Sequence, residues 1–330
     1  MNKLPLAGID QPITRIGLGC MGMSEFYGAP SSEADAHGVM ARAVELGINF
    51  FDTADMYGSG HNERLIGSFL KGRRDDVIIA TKGAIRREAD GSRGGIDTSP
   101  DYVRQACEAS LQRLGVDAID LYYMHRLDGV TPIEDTMEAL AGLVADGKIR
   151  AIGLSEVSAA TLKRAHAVHP VAALQSEYSL TTRDPENGVL QACADLGTAF
   201  VAYSPLGRGI LAGAVTRDTV FEPGDVRATP FFPRFTGEAL QANVALADRV
   251  ADIAAELGAT TGQVALAWLL SKPGVVPIPG TRRISRLEEN AGALSLSLSA
   301  DQIAALEAAI PPDAIQGDRY GEGGMQALGR

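Results

Sequence analysis

Cysteine is scarce in this chain of 330 residues: Cys20, Cys107 and Cys193 stand far apart. Three separated thiols make neither a disulfide framework nor a metal-ligand spacing, and the count suits a reducing compartment. Basic residues are in deficit, 30 against 41 acidic, for a net charge of −11. Such a surface repels phosphate backbones and anionic headgroups, which argues against nucleic acid and membrane as partners. An anionic ligand would need a local cluster of Arg or Lys. No apolar run approaches a membrane-spanning length, and MNKLPLAGID lacks an apolar signal core. A soluble, cytoplasmic protein is expected, with no pattern that speaks to its oligomeric state. Linkers rich in Pro, Gly and Ser are missing as well, so residues 1–330 read as a single domain.

What the chain does have is alternation. Short apolar runs recur at 15–19 (RIGLG), 48–54 (INFFDTA), 77–82 (VIIATK), 118–125 (AIDLYYMH), 149–155 (IRAIGLS), 171–178 (VAALQSEY), 199–206 (AFVAYSPL) and 274–280 (GVVPIPG). Several are too continuous for one-sided burial, as expected of parallel strands covered on both faces. Amphipathic helices lie between them. Ser99-Pro100-Asp101 opens one, whose stripe Val103, Ala106, Cys107, Leu111 and Leu114 is closed by Gly115; Thr131-Pro132 opens the next. Eight strands, each followed by helix, predict an α/β fold: one closed (β/α)₈ TIM barrel. Residues 1–14 precede the first strand and suggest a short hairpin closing the barrel bottom. Residues 207–236, rich in Gly, Pro and Phe, form a long loop after strand seven, of the kind used as a lid over a bound ligand.

The chemistry sits at the strand ends, where a barrel places its active site. Strand two ends in Asp52, three in Lys82, four in His125, five in Ser155, six in Gln175 and seven in Tyr203-Ser204, with Tyr57 just beyond strand two. One polar strand end is an ordinary loop residue; six converging on one mouth make a site. The histidines (His37, His61, His125, His166, His169) form no HxH or HExxH pattern, so no metal is expected, and no G-x-S-x-G elbow marks a serine hydrolase. A tyrosine, a lysine, a histidine and an aspartate remain. A free tyrosine titrates near ~10; a neighbouring ammonium is expected to lower that value, with the aspartate holding the lysine charged and the histidine hydrogen-bonding the substrate oxygen. Such a group protonates a developing alkoxide, as carbonyl reduction by hydride requires. Gly17-Leu-Gly-Cys-Met-Gly22 is a literal G-x-G-x-x-G after a strand, but SEFYGAP intervenes before the next helix pattern, so a loop lining the mouth is expected rather than a Rossmann turn.

These residues closely resemble the aldo-keto reductase superfamily over nearly the whole chain, through GINFFDTADMYGSGHNE, VIIATK, DLYYMHRLD, IGLSE, ALQSEYS, AYSPLGRGIL and PIPGTRRISRLEEN. The GCMGMS and IPGTRR segments look like the bacterial and plant branch that includes pyridoxal reductase and perakine reductase. The resemblance implies an NADPH-dependent reductase of aldehydes or ketones, with Asp52, Tyr57, Lys82 and His125 as the catalytic set and Tyr57 as proton donor. It implies that NADPH/NADP⁺ lies along Gly19, Cys20, Met21 and Asp52, with Ser155 and Gln175 on the carboxamide and Tyr203 stacked on the ring. Ser204, Pro205, Leu206, Gly207, Arg208 and Gly209 would run under the pyrophosphate. Ile278, Gly280, Thr281, Arg282 and Arg286 would follow the adenosine, Arg286 on the 2′-phosphate, with Glu289 and Asn290 near the adenine.

Two departures stand out. Glu156 follows the carboxamide serine where many members have Asn, and Gly280-Thr281 replaces Lys-Ser, although Arg282, Arg283 and Arg286 restore positive charge and favour NADPH over NADH. The partner is then a small-molecule carbonyl compound, in a pocket shaped by Phe26, Met56, the 207–236 loop and the C-terminal tail. The same resemblance reaches potassium-channel β subunits, so an NADP(H)-binding regulatory subunit is the alternative; the acidic exterior and the lack of an N-terminal extension weigh against a channel partner.

Overall fold

A computed structural model describes residues 3–88 and 91–330. Eight parallel strands follow one another around a barrel: β1 (Leu18–Gly19), β2 (Phe50–Asp52), β3 (Ile78–Gly83), β4 (Ile119–Met124), β5 (Ile149–Ser155), β6 (Val171–Glu177), β7 (Ala199–Tyr203) and β8 (Val275–Pro277). Each is paired in register with the next, for example Ala80 with Leu121 and Gln175 with Ser155. The ring closes between β8 and β1, where the Gly17 N–H donates to the Pro277 carbonyl at 3.0 Å and Gly19 bridges Gly280.

That seam explains the glycines of the G-x-G-x-x-G string. A Cβ on Gly17 would sit 2.7 Å from Phe50 Cδ1 and 2.9 Å from Ile278 Cγ2, and one on Gly19 would sit 2.8 Å from the Ile278 carbonyl oxygen. A single 3-10 turn, Met21–Met23, follows the string, and the first α-helix starts only at Glu33, capped by Ser32 accepting from the Asp35 N–H. Close approach of two strands, and not a phosphate turn at a helix start, is what the sequence encodes there.

The strands are buried on both faces, as their continuous apolar runs require. Inside, Phe50, Ile78, Ala80, Leu121, Tyr123, Ala151, Ala173 and Val201 pack with Leu6, Ile9 and Ile13. Those last three belong to an antiparallel hairpin, Lys3–Leu6 with Ile9–Thr14, which plugs the bottom as expected. Outside, the helices lay their apolar stripes on the sheet: Val103, Ala106, Cys107, Leu111 and Leu114 of Pro100–Leu114 are buried, and Gly115 ends that helix in the left-handed region (φ 65°). No single described helix is long and apolar enough to cross a membrane.

Three local expectations are corrected. The first strand is shorter than 15–19, because only Leu18 and Gly19 find ladder partners on β2. Ser99 stands at the helix start without capping it, since its hydroxyl donates to Asp97 Oδ1 at 2.7 Å; Thr131 likewise donates to Asp128. A second hairpin, Ile85–Arg87 with Arg93–Ile96, rises from the end of β3.

Gly17→Ala should test the seam. Forcing a methyl against Phe50 and Ile278 is expected to lower stability by about 1–3 kcal/mol, read from urea denaturation; an unchanged midpoint would show that the strands can part to admit it.

Candidate active site

The loaded strand ends meet at the mouth. Lys82 is fully buried, and its Nζ donates to Asp52 Oδ1 at 2.5 Å and to the Thr53 carbonyl at 2.8 Å, with Tyr57 Oη at 3.5 Å. The second Asp52 oxygen accepts from Gln175 Nε2 at 2.7 Å. Four strand-end groups from β2, β3 and β6 and the loop after β2 therefore form one connected unit. Tyr57 covers it and is 7% exposed, its ring edge-on to His125 (centroids 5.9 Å apart) and to Phe26 (6.5 Å). The loop carrying Tyr57 is pinned from beneath: Asn62 accepts from the Thr53 hydroxyl and donates to the Cys20 carbonyl.

Burial is the largest influence on each of these groups. It would lower Lys82, yet the Asp52 charge overcomes it and leaves the ammonium above its ordinary value. Tyr57 differs from the expectation. Burial raises its hydroxyl more than Lys82 lowers it, and Asp52 adds to the rise, so the net shift is upward. Tyr57 therefore holds its proton throughout the neutral range.

A cleft of about 1480 Å³ runs from this floor to the outer rim. Met56, Tyr57, His125, Ser155, Gln175 and Tyr203 line one end; Ser204, Pro205, Leu206, Arg208 and Gly209 line the middle; Ile278, Gly280, Thr281, Arg282, Arg286, Glu289 and Asn290 line the other, with Gly19, Met21 and Asp52 along the β1–β2 side. Two expected contacts are not brought there. Cys20 is fully buried with its Sγ toward the Leu18 carbonyl, and Gly207 is buried behind the wall. The middle stretch turns through left-handed residues (Ser204 φ 49°, Gly207 φ 55°, Arg208 φ 53°), a backbone form that makes concave, anion-binding surfaces. Arg282 donates to the Ala29 carbonyl at 2.7 Å, and Arg286 pairs with Glu289.

Residues 207–236 arch over the cleft. The Val226 N–H donates to the Phe26 carbonyl at 3.0 Å, and Arg227 donates to the Arg208 carbonyl at 2.8 Å while lying over the Tyr27 ring. Phe232 and Phe235 of this segment are buried.

The tail supplies residues that no local motif announces. Tyr320 Oη lies 2.8 Å from Tyr203 Oη and 3.0 Å from Arg208 Nη2. Arg319 pairs with Glu156 at 2.7 Å. Glu156, the departure noted in the sequence, adopts φ 54° and also accepts from Tyr203 Oη and the Glu177 N–H. A glutamate here serves as the anchor for the tail.

Strand ends that seal a charge pair beneath a protonated tyrosine suit reversible proton exchange with an oxygen at the mouth of the barrel. Residues 15–311 match the Aldo/keto reductase family model. The chain is 44% identical over 320 residues to an NADP(+) aldo-keto reductase of Schizosaccharomyces pombe, covering 95% of this chain and 93% of the relative. It is 44% identical over 327 residues to a probable aldo-keto reductase of Glycine max, covering 97% and 92%. A glycerol dehydrogenase from Gluconobacter oxydans superposes with a TM-score of 0.85 at 29% identity, covering 96% of this chain and 98% of that one. An aldo-keto reductase from Klebsiella pneumoniae in complex with NADP and acetate gives 0.75 at 27%, over 96% and 98%. The chain belongs to the aldo-keto reductase family.

Asp52→Asn should strand the Lys82 charge in a dry site. Breaking a buried pair costs about 3–5 kcal/mol, so urea denaturation of Asp52→Asn is expected to show a loss on that scale, partly recovered in Asp52→Asn/Lys82→Met. A double variant no more stable than the single would refute the coupling.

Proposed function

We propose that this chain reduces aldehydes or ketones to alcohols with NADPH, with Tyr57 as the proton donor. The observation that carries the reading is a tyrosine that keeps its proton at the floor of the cleft, directly over an ammonium locked in place by a carboxylate.

The residues present fit a phosphorylated dinucleotide. The cleft is long, its middle is a left-handed backbone turn suited to phosphate, and its outer end carries Arg282, Arg283 and Arg286. Ser155, Gln175 and Tyr203 would hold the nicotinamide end, Ser204–Gly209 the pyrophosphate, and Arg286, Glu289 and Asn290 the adenosine phosphate end. When bound, the reduced nicotinamide supplies the hydride. The printed name of the Schizosaccharomyces relative and the NADP complex of the Klebsiella structure support the same assignment.

The chain's own groups do the rest. As the carbonyl oxygen gains charge, Tyr57 gives it the hydroxyl proton, and the phenolate left behind faces Lys82. That ammonium stabilises the phenolate only while it stays protonated, which is the work of Asp52. His125 borders Tyr57 and is the hydrogen-bond partner we assign to the substrate oxygen. A purely regulatory, nucleotide-binding role would leave this assembly without purpose. The reaction is assigned to the cytoplasm, acting on a small-molecule carbonyl compound.

Tyr57→Phe is expected to lower kcat by about 10²–10⁴-fold, the scale of general acid catalysis. A wild-type rate in the purified variant would refute the assignment. In the wild type the donor must be protonated, and its titration is shifted upward. Reduction should therefore stay flat through neutral pH and fall only above the ordinary tyrosine value near ~10.

Arg286→Ala should weaken NADPH about ten- to hundredfold, the equivalent of about 1.5–3 kcal/mol for one charge-assisted contact, and NADH far less. Fluorescence titration with both nucleotides measures it, and equal losses would place Arg286 off the 2′-phosphate.

A further inference from the structure

Arg126 follows His125 in the chain and lines the inner end of the cleft, yet it makes no ion pair with a carboxylate among the described residues. Its Nη1 donates to the His125 carbonyl at 2.6 Å and to Ser155 Oγ at 3.0 Å. Its Nη2 reaches only Tyr203 Oη, at 3.4 Å, and its Nε–H makes no hydrogen bond among the described residues. An arginine carries five N–H donors, so the Nε/Nη2 edge, the edge that grips carboxylates in a parallel two-bond fork, has donors to spare on a residue that lines the cleft.

The other partly buried arginines of this wall are neutralised. Arg208 pairs with Glu177 at 2.9 Å, Arg227 with Asp225, and Arg319 with Glu156. Three carboxylates, Glu156, Glu177 and the more exposed Asp184, face the four arginines Arg126, Arg208, Arg234 and Arg319, and Glu156 already accepts from Arg319, Tyr203 and the Glu177 N–H. Cationic charge is therefore in excess beside the proton donor, in a wall that also presents the apolar side chains of Met56, Ile85, Ile96 and Phe231. Guanidinium stays charged in any such setting, and a charge held among apolar and neutral groups is costly unless paired. A nicotinamide carboxamide is neutral and leaves that charge uncompensated. The missing counter-ion must arrive with the other ligand.

We propose that Arg126 is a specificity-determining residue that pairs with an anionic group of the substrate, so that the preferred substrates are aldehydes or ketones bearing a carboxylate or phosphate. This rests on the reductase reading above, with the reaction itself unchanged: Arg126 binds the part of the substrate that does not react. A bound anion there also covers the open Arg126 guanidinium near Tyr57, which ties turnover to correct seating of the substrate.

The test compares 3- and 4-carboxybenzaldehyde with their methyl esters, which share the reacting carbonyl and differ in charge. For the wild type, kcat/KM is expected to be at least about tenfold higher for one of the acids than for its ester. Arg126→Gln should collapse that acid-to-ester ratio about ten- to hundredfold, mostly through KM, while Arg126→Lys retains part of it. A ratio that is the same in wild type and Arg126→Gln overturns the proposal. So does a preserved ratio accompanied by weakened NADPH binding in fluorescence titration, which would assign Arg126 to the nucleotide. Calorimetric binding of the same acids and esters to the NADP⁺-loaded protein separates the two levels. Tight, Arg126-dependent binding of an acid with no reduction of any aldehyde in the presence of NADPH would sink the reductase reading and leave the anion site standing. Reduction of the esters with no preference for the acids would do the reverse.

Discussion

Lys82 carries its ammonium on a side chain with no solvent exposure, where an isolated charge would be driven to shed its proton. Asp52 prevents that, and its second oxygen is held by Gln175 from the far side of the barrel. The pair thus has a complete set of partners, which a buried ion pair needs to persist. Everything at the mouth inherits its geometry. The Thr53 carbonyl that accepts from Lys82 opens the loop that brings Tyr57 over the pair, and Asn62 clamps that loop to the Cys20 carbonyl on the neighbouring strand exit. Chemistry at the tyrosine is in this sense a property of three strands and their spacing.

A second set of buried charges organises the rim. Burial alone would raise the Glu177 carboxyl, but Arg208, Arg319 and Arg234 together hold it below the ordinary range. Glu156 and Glu177 lie at the ends of adjacent strands, and through Arg319 and Tyr320 they gather the tail, while through Arg208 and Arg234 they gather the long arch after β7. Glu156 supplies the charge that the tail arginine Arg319 needs. Two segments distant in sequence are therefore fastened to the same pair of carboxylates.

How much of this could be read in advance depended on the range of the interaction. The barrel was legible because parallel strands covered on both faces leave continuous apolar runs, and β5 spans the run at 149–155. The strand-end residues were legible because a barrel sends them all to one rim. The reach of β1 was overstated, since Arg15 spends its guanidinium on the carbonyls of Leu270, Lys272 and Val275 and no ladder extends there. The hairpin at Ile85–Ile96 carries arginine and glycine where a strand pattern expects alternating apolar residues, so it left no signal. Arg319 and Tyr320 find partners more than a hundred residues away, and no local spacing encodes that. Tyr57 shows the same limit in electrostatic form: residue types disclose which charges are near, but only depth of burial settles the direction of the shift.

The hairpin of Lys3–Leu6 and Ile9–Thr14 seals one end of the barrel so fully that Leu6, Ile9 and Ile13 become part of its interior. Gly8 turns it at φ 81°, close against the Arg150 carbonyl. The vessel is consequently blind at that end, and the two ends of the molecule are not equivalent to anything that grips them. A surface that captures the protein through the exposed Lys3 would hold it by its stopper and present the opening outward. One that captured it through the segment around Tyr320 would bear on the doorway itself. Orientation on a support, for this molecule, is a choice between an accessible vessel and a corked one.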